Sequence, residues 1–168
     1  MSAVTAWAPQ ARTISLSEAS EFIWTEADLL DHVDYPAWLA LWSATGHYVI
    51  PIEHGETNFA DTLNVAYDDA EMRLMRTQRL SGGFTISNAP AARTVRTVSR
   101  FRVTRSAPGV IELRAAQVLV EQRMQLQRVY AAEVEYRLIA EGDALKLDQK
   151  VVRLVDSSDA LHALGYLL

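Results

Sequence analysis

Five side chains that can transfer protons lie in the first third of the sequence. Asp31, His32, Asp34 and Tyr35 stand at the junction of two predicted helices, and Tyr48 follows in a predicted strand. General acid–base catalysis uses carboxylate, imidazole and phenol groups, so this set could serve an isomerase, dehydratase or cyclase. A structural explanation competes with this one, because Asp34 can cap the second helix and Asp31 stands in the last turn of the first.

Other kinds of active site find little support. No two histidines stand four residues apart, the spacing that places two metal ligands on one helix face; they are His32, His47, His54 and His162. The sequence has no cysteine, which excludes disulfides, thiolate ligands and cysteine nucleophiles. Ser81-Gly82-Gly83 lacks the lysine and the following helix of a phosphate-binding loop. We therefore predict no metal-binding and no cofactor-binding residue in this chain.

A small-molecule binding module is a third possibility. Aromatic side chains at helical and strand spacing are typical of a core, but they also line ligand pockets; here they are Trp24, Trp38, Trp42, Tyr130 and Tyr136. A deep apolar cavity would favour the binding module, and a deep polar one around His32 would favour the acid–base enzyme.

The composition predicts an ordinary globular protein. The chain has 168 residues, of which 49% are hydrophobic and 22% charged, and this length is enough for one self-sufficient core. A net charge of -5 disfavours a nucleic-acid partner. Neither a signal-peptide pattern nor an apolar run of membrane-spanning length occurs, so we predict a cytoplasmic protein with no membrane contact.

Helical patterns occupy the first half of the chain. We expect a flexible N-terminal arm over residues 1–13 and a single domain over 14–168. Apolar spacing predicts a helix over 16–33 behind a Ser15 cap, and a short apolar helix after Asp34 that carries Trp38 and Trp42 and ends at Gly46. Short strands are predicted over 47–52 and 64–67. A third helix follows Asp68-Asp69 and ends at Ser81-Gly82-Gly83.

The second half of the sequence changes to a two-residue period. Alternation predicts strands over 95–103, 110–121, 129–139 and 145–155, joined by turns at Pro108-Gly109 and 141–143. Nothing in this order calls for a parallel crossover, so we predict an α+β fold whose N-terminal helices pack on a curved, mainly antiparallel sheet. An arginine stripe typical of a solvated or docking surface begins just before the first of these strands and continues along it: Arg93, Arg96, Arg100 and Arg102.

Five segments resemble one protein family. Residues 65–80 read VAYDDAEMRLMRTQRL and resemble the Y-D-D and L-x-R-x-x-R-L pattern of the β subunits of aromatic-ring-hydroxylating (Rieske non-haem iron) dioxygenases. Residues 88–103, beginning NAPAARTVR, are similar to that family's Pro-x-Ser-Arg-Thr-x-Arg run into a strand. Residues 26–31, Trp38-Leu39 and residues 48–51 also fit. The sequence departs from the pattern at Phe84, where the family usually has Trp, at Ala92 for Ser and at Asn88 for an acidic residue.

The resemblance implies a fold and an assembly. The fold would be the cystatin-like (NTF2-like, SnoaL-like) cone. This chain would be a non-catalytic structural subunit that forms a trimer beneath three catalytic α subunits (α3β3), with the Rieske 2Fe-2S cluster and the mononuclear iron both in α. Interface positions that carry the family pattern without an evident core role would be Asp68, Arg76, Arg79, Pro90, Arg93 and Arg96. We also expect the apolar tail to pack on the sheet or on a neighbour; it contains Leu161, Leu164, Tyr166, Leu167 and Leu168.

Overall fold

The computed structural model describes residues 11–82, 91–156 and 166–168. Three helices and six strands make up these parts of the chain. The elements are α1 (Leu16–Asp31), α2 (Tyr35–Ala40), β1 (Trp42–Pro51), β2 (Asn64–Asp68), α3 (Ala70–Ser81), β3 (Arg93–Ala107), β4 (Val110–Arg123), β5 (Leu126–Glu141) and β6 (Ala144–Leu154), with a short 3-10 turn at Phe59–Asp61 between β1 and β2. The strands form one sheet in the order β2-β1-β6-β5-β4-β3.

All three predicted helix starts are confirmed, because each has a side-chain cap. Ser15 accepts a hydrogen bond from the Glu18 amide at 3.1 Å, and Asp69 accepts one from the Met72 amide at 2.9 Å. Asp34 caps α2 in the same way. Such caps satisfy amides that have no partner inside the helix, so local sequence determines where these helices begin.

The predicted end of the second helix is wrong. Trp42 belongs to β1, where it pairs with Leu147 of β6, and Gly46 lies inside this strand rather than at a helix terminus. A Cβ atom on Gly46 would stand 2.8 Å from both the Leu147 carbonyl oxygen and the Trp42 ring. The glycine therefore permits a close backbone approach within the sheet.

The sheet contains one parallel pair, which the order of elements did not predict. Strand β1 runs parallel to β6, with Tyr48 opposite Lys150 and Val49 opposite Val151, and every other neighbouring pair is antiparallel. The two strands are about 100 residues apart in the chain, so adjacency along the sequence carries no signal for this pairing.

The helices cover one face of the sheet, which we call the inner face. It holds most of the core, including Leu119, Val134 and Leu138. The predicted alternation of β5 is confirmed, since Ala132, Val134, Tyr136 and Leu138 are buried in turn. No helix of the described parts is long and apolar enough to cross a membrane.

Residues near both ends of the chain contact the folded domain. Arg12, predicted in the flexible arm, is held in place: its carbonyl accepts from the Gly109 amide at 2.8 Å and its guanidinium pairs with Glu18 at 2.7 Å. Ordered contacts thus begin before residue 14. The predicted packing of the tail is confirmed for Leu167 and Leu168, which are buried, whereas Leu161 and Leu164 lie outside the described residues.

Candidate functional site

A buried ion pair lies between α1 and the inner face. Lys150 Nζ stands 2.8 and 3.1 Å from the two carboxylate oxygens of Glu26, and both side chains are at most 1% exposed. Trp38 Nε1 donates to the same carboxylate at 2.9 Å. Burial lowers the pKa of Lys150, and the adjacent Glu26 carboxylate opposes that shift. These three groups satisfy one another, which is what a buried charge requires.

Arg96 is a second buried cation on the inner face. Arg96 Nε lies 3.1 Å from Asp31 Oδ1, an ionic contact without good hydrogen-bond alignment, and Arg96 Nη2 donates to the Leu167 carbonyl at 3.0 Å. The Asp31 carboxylate also accepts from the Arg96 amide at 2.8 Å and from the Thr94 hydroxyl at 2.9 Å. This cluster fastens β3 to the end of α1 and to the Leu167 backbone.

Tyr48 secures the same segment from the opposite side. Its hydroxyl donates to the Leu168 oxygen at 3.3 Å and accepts from the Leu168 amide at 3.0 Å. Complete burial raises the pKa of Tyr48 above its usual value. Tyr166 adds a third anchor, because its hydroxyl donates to Glu121 at 2.9 Å. The segment 166–168 therefore occupies the interior between the helices and the sheet and is hydrogen-bonded to three strands.

The five predicted acid–base residues lie in separate environments, and four of them have partners of their own. Asp31 holds β3, and Asp34 caps α2. His32 is exposed, and its Nδ1 contacts the Asp28 carbonyl at 2.8 Å. Tyr35 is buried, which raises its pKa, and Tyr48 binds Leu168. The structure thus brings Asp31, Tyr35 and Tyr48 to the interior and leaves His32 and Asp34 at the surface, so no shared acid–base site forms from the set.

The burial of Glu26 and Lys150 was missed at the sequence level. A signal for Glu26 exists, because it occupies the same helix face as Ile23, Ala27 and Leu30. For Lys150 the sequence pattern was misleading, because an even alternation over 145–155 places its side chain on the outer side of the strand. A register shift opposite Arg137 and Leu138 turns the Lys150 side chain inward. Two further polar atoms of the interior, Tyr136 Oη and Gln117 Oε1, have no hydrogen-bond partner within the described residues.

The six predicted interface residues were chosen because they had no evident core role, and this reason is wrong for two of them. Asp68 and Arg96 are buried inside the subunit, where Asp68 accepts from Arg76 Nη2 at 2.9 Å. Arg76 is partly exposed, and Arg79 and Arg93 are exposed. Pro90 lies outside the described residues. The assignment of these positions to an interface stays a prediction.

The arginine stripe also divides between the two faces. Arg96 points inward, whereas Arg93, Arg100 and Arg102 are exposed. Arg100 adopts a φ of 56°, and the register with β4 shifts between Ser99 and Arg102. This bulge breaks the simple alternation on which the stripe was based.

The family assignment follows from a comparison with known proteins. Residues 25–158 match the profile of the family described as the ring hydroxylating beta subunit. The chain belongs to this family. The resemblance noted from five sequence segments is confirmed, and β subunits of these dioxygenases pair with catalytic α subunits.

Two relatives are likewise named as small or β subunits. The small oxygenase component of the p-cumate 2,3-dioxygenase system of Pseudomonas putida is 30% identical over 82% of this chain and 77% of that protein. The β subunit of the N,N-dimethyl phenylurea N-demethylase of a Sphingobium species is 28% identical, over 89% of each chain.

Solved structures confirm the predicted cone fold. The β subunit of the Burkholderia mallei benzoate 1,2-dioxygenase superposes with a TM-score of 0.74 at 22% identity, covering 93% of this chain and 99% of that one. An NTF2-like protein with a cystatin-like fold from Novosphingobium aromaticivorans gives a TM-score of 0.58 at 12% identity, covering 87% of this chain and 94% of that one. At these identities the likeness concerns the fold alone.

Proposed function

We propose that this β subunit is a structural component that holds catalytic α subunits in place and has no active site of its own. The complex would be α3β3, with three β subunits in contact with each other. It would oxidise aromatic compounds as part of their degradation.

The observation that carries this proposal is that interior polar groups in the described parts of the chain are bound by other groups of the same chain. A stand-alone isomerase or dehydratase needs an acid and a base that face an open space for substrate. Here the Tyr48 hydroxyl and the Arg96 guanidinium bind backbone atoms of residues 167 and 168. Lys150 and Glu26 form a buried ion pair with each other. Groups bound in this way stabilise the fold and are not available to a substrate.

We propose that the Rieske cluster and the mononuclear iron belong to the α subunit. The sequence has no cysteine for the thiolate half of a Rieske cluster. Within residues 11–82, 91–156 and 166–168 no group of three His, Asp or Glu side chains could hold a metal ion. The residues present therefore do not fit either centre, and this chain's contribution is to position the subunit that carries them.

Substrate choice would also belong to the α subunit. The names of the relatives include a phenylurea N-demethylase and a p-cumate dioxygenase, so similar β subunits accompany different reactions. We place the complex in the cytoplasm, because a cysteine-free chain needs no disulfides from an oxidising compartment.

The test is purification of this chain alone and together with a catalytic α subunit from the same organism. The isolated chain should be colourless and free of iron, and substrate oxidation should appear only in the complex with α. Tyr48→Phe should leave the turnover of the assembled complex unchanged once protein folding is matched. Isomerase, dehydratase or cyclase activity of the isolated chain, abolished by Tyr48→Phe, would overturn the proposal.

A further inference from the structure

Residues 166–168, which we call the inserted segment, lie in the interior but belong to no helix or strand of the described chain. Leu167 and Leu168 are only 3% and 1% exposed. Both leucines are members of the hydrophobic core. A buried backbone needs hydrogen-bond partners, and most buried segments find them in a helix or a sheet. The inserted segment has to find them elsewhere.

Side chains of two strands supply these partners. The Arg96 guanidinium donates to the Leu167 carbonyl at 3.0 Å. The Tyr48 hydroxyl accepts from the Leu168 amide at 3.0 Å and donates to the Leu168 oxygen at 3.3 Å. Within the described residues, no backbone–backbone hydrogen bond joins the inserted segment to the rest of the fold. The segment is thus held as a receptor holds a peptide ligand, by side chains that bind its backbone groups.

The buried cations nearby have carboxylate partners within the fold. Arg96 faces Asp31 at 3.1 Å, and Lys150 faces Glu26 at 2.8 Å. Recognition of residues 167 and 168 therefore depends on hydrogen bonds to carbonyl and amide groups and on apolar contact with two leucine side chains. A small apolar amide has the same features and meets the same requirements.

We propose that the space occupied by residues 167 and 168 is a binding site for small apolar amides, and that the inserted segment is its built-in occupant. Tethering gives such a segment an effective concentration in the mM range, so an added ligand competes with it in the wild-type chain. The inference goes beyond the proposed function and is independent of it, because binding at this site requires neither the α subunit nor a reaction.

The test adds N-acetyl-leucyl-leucine amide to the full chain and measures binding by calorimetry. This probe carries the backbone and the side chains of residues 167 and 168. Leu168→Asp places a charge in the apolar interior and should release the inserted segment. Because segment and probe compete for one site, the variant should bind the probe about 100-fold more tightly than the wild type does. Leu126→Asp is the matched control, at a leucine of β5 that is 64% exposed, and should bind the probe like the wild type.

A second variant introduces no buried charge, so it gives a result even where Leu168→Asp fails to fold. Tyr166→Phe removes the hydrogen bond from the Tyr166 hydroxyl to Glu121, at 2.9 Å, which the probe does not make. It should weaken the inserted segment without changing any contact of the probe, and probe binding should tighten by about 10-fold.

A serine probe checks the apolar part of the recognition. N-acetyl-seryl-serine amide has the same backbone without the leucine side chains and should bind neither variant. Folded variants that bind the leucine probe no better than the wild type, or that bind the serine probe equally well, would overturn the inference. None of these measurements involves the α subunit, so such a result leaves the proposed function as it stands.

Hydrogen exchange in the wild-type chain tests the same inference without any substitution. The inserted segment should leave its site while the sheet stays folded, so the Leu168 amide should be about 100-fold less protected than the Val134 amide. Val134 lies in β5 between Ala115 of β4 and Val152 of β6. Equal protection of the two amides would mean that the segment opens only when the whole domain unfolds, and it would refute the inference.

Discussion

Each face of the sheet holds some groups of the kind usually found on the other. The inner face buries Lys150, Arg96 and Gln117, whereas the opposite face, here called the outer face, exposes Val95 and Val129. Most inner charges have partners within the chain, at distances of 2.8 to 3.1 Å. The outer valines are exposed in the described parts of the chain. The inner charges are therefore bound within the chain, whereas the outer valines remain in contact with water.

This difference predicts which changes alter stability. Changes to the inner groups should alter the free energy of unfolding, because they leave buried charges or amides without partners. Changes to the exposed outer face should have small effects on unfolding.

The largest effect is expected for Lys150→Met, which leaves the Glu26 carboxylate buried without its cation. We expect a loss of about 3–5 kcal/mol in the free energy of unfolding, measured by urea denaturation. The double variant Lys150→Met with Glu26→Gln removes the charge and keeps an acceptor for Trp38 Nε1, so it should recover most of that loss. A single variant within about 1 kcal/mol of the wild type would show that the pair does not stabilise the fold in this way.

A smaller loss is expected for Tyr48→Phe. The change leaves the buried Leu168 amide without its acceptor, which costs about 1–3 kcal/mol. Hydrogen exchange at residues 167 and 168 should accelerate, because the segment loses one of its anchors. Tyr67→Phe, at an exposed tyrosine of β2, is the matched control and should leave both measurements unchanged. Equal effects of the two substitutions would contradict the anchoring role of Tyr48.

On the outer face, Glu133→Gln should change the free energy of unfolding by less than about 1 kcal/mol. Glu133 lies 3.1 Å from Arg100 and 3.9 Å from Arg114, but all three side chains are substantially exposed, so water screens both pairs. Urea denaturation at low and high salt measures the change. A loss of unfolding free energy as large as that of Lys150→Met would show that exposed and buried ion pairs stabilise this fold equally.

The smallest effect concerns His32 at the end of α1. Its contact with the Asp28 carbonyl, followed by the Asp28 carboxylate, raises the pKa of His32 above 6.5. Because the folded-state pKa is the higher one, the stabilising contribution is fully present below the unfolded-state pKa and is lost as the pH rises through the folded one. An NMR titration of the His32 ring should give the raised pKa. Asp28→Asn should lower the pKa of His32 only in part, since the backbone contact remains. A pKa at or below 6.5 in the wild type would refute it.

Local signals predicted much of the fold. The caps at Ser15, Asp34 and Asp69 and the alternation of β5 depend on residues within one turn or one strand, so they are visible in a short window of sequence. The resemblance of several short segments likewise pointed to the family that matches residues 25–158. The candidate site was harder to predict, since Glu26 and Lys150 are 124 positions apart.

By itself, the sequence determined the helices, most of the strands and the family, because caps, turns and periodicity act over a few residues. Tertiary structure alone decided the parallel pairing of β1 with β6 and the strand assignment of Trp42. It also decided the burial of Arg96 and Lys150 and the exposure of Val95 and Val129. The physical reason is that a single bulge reverses which side chains face inward, and that a buried charge is stable only where a distant residue supplies its partner.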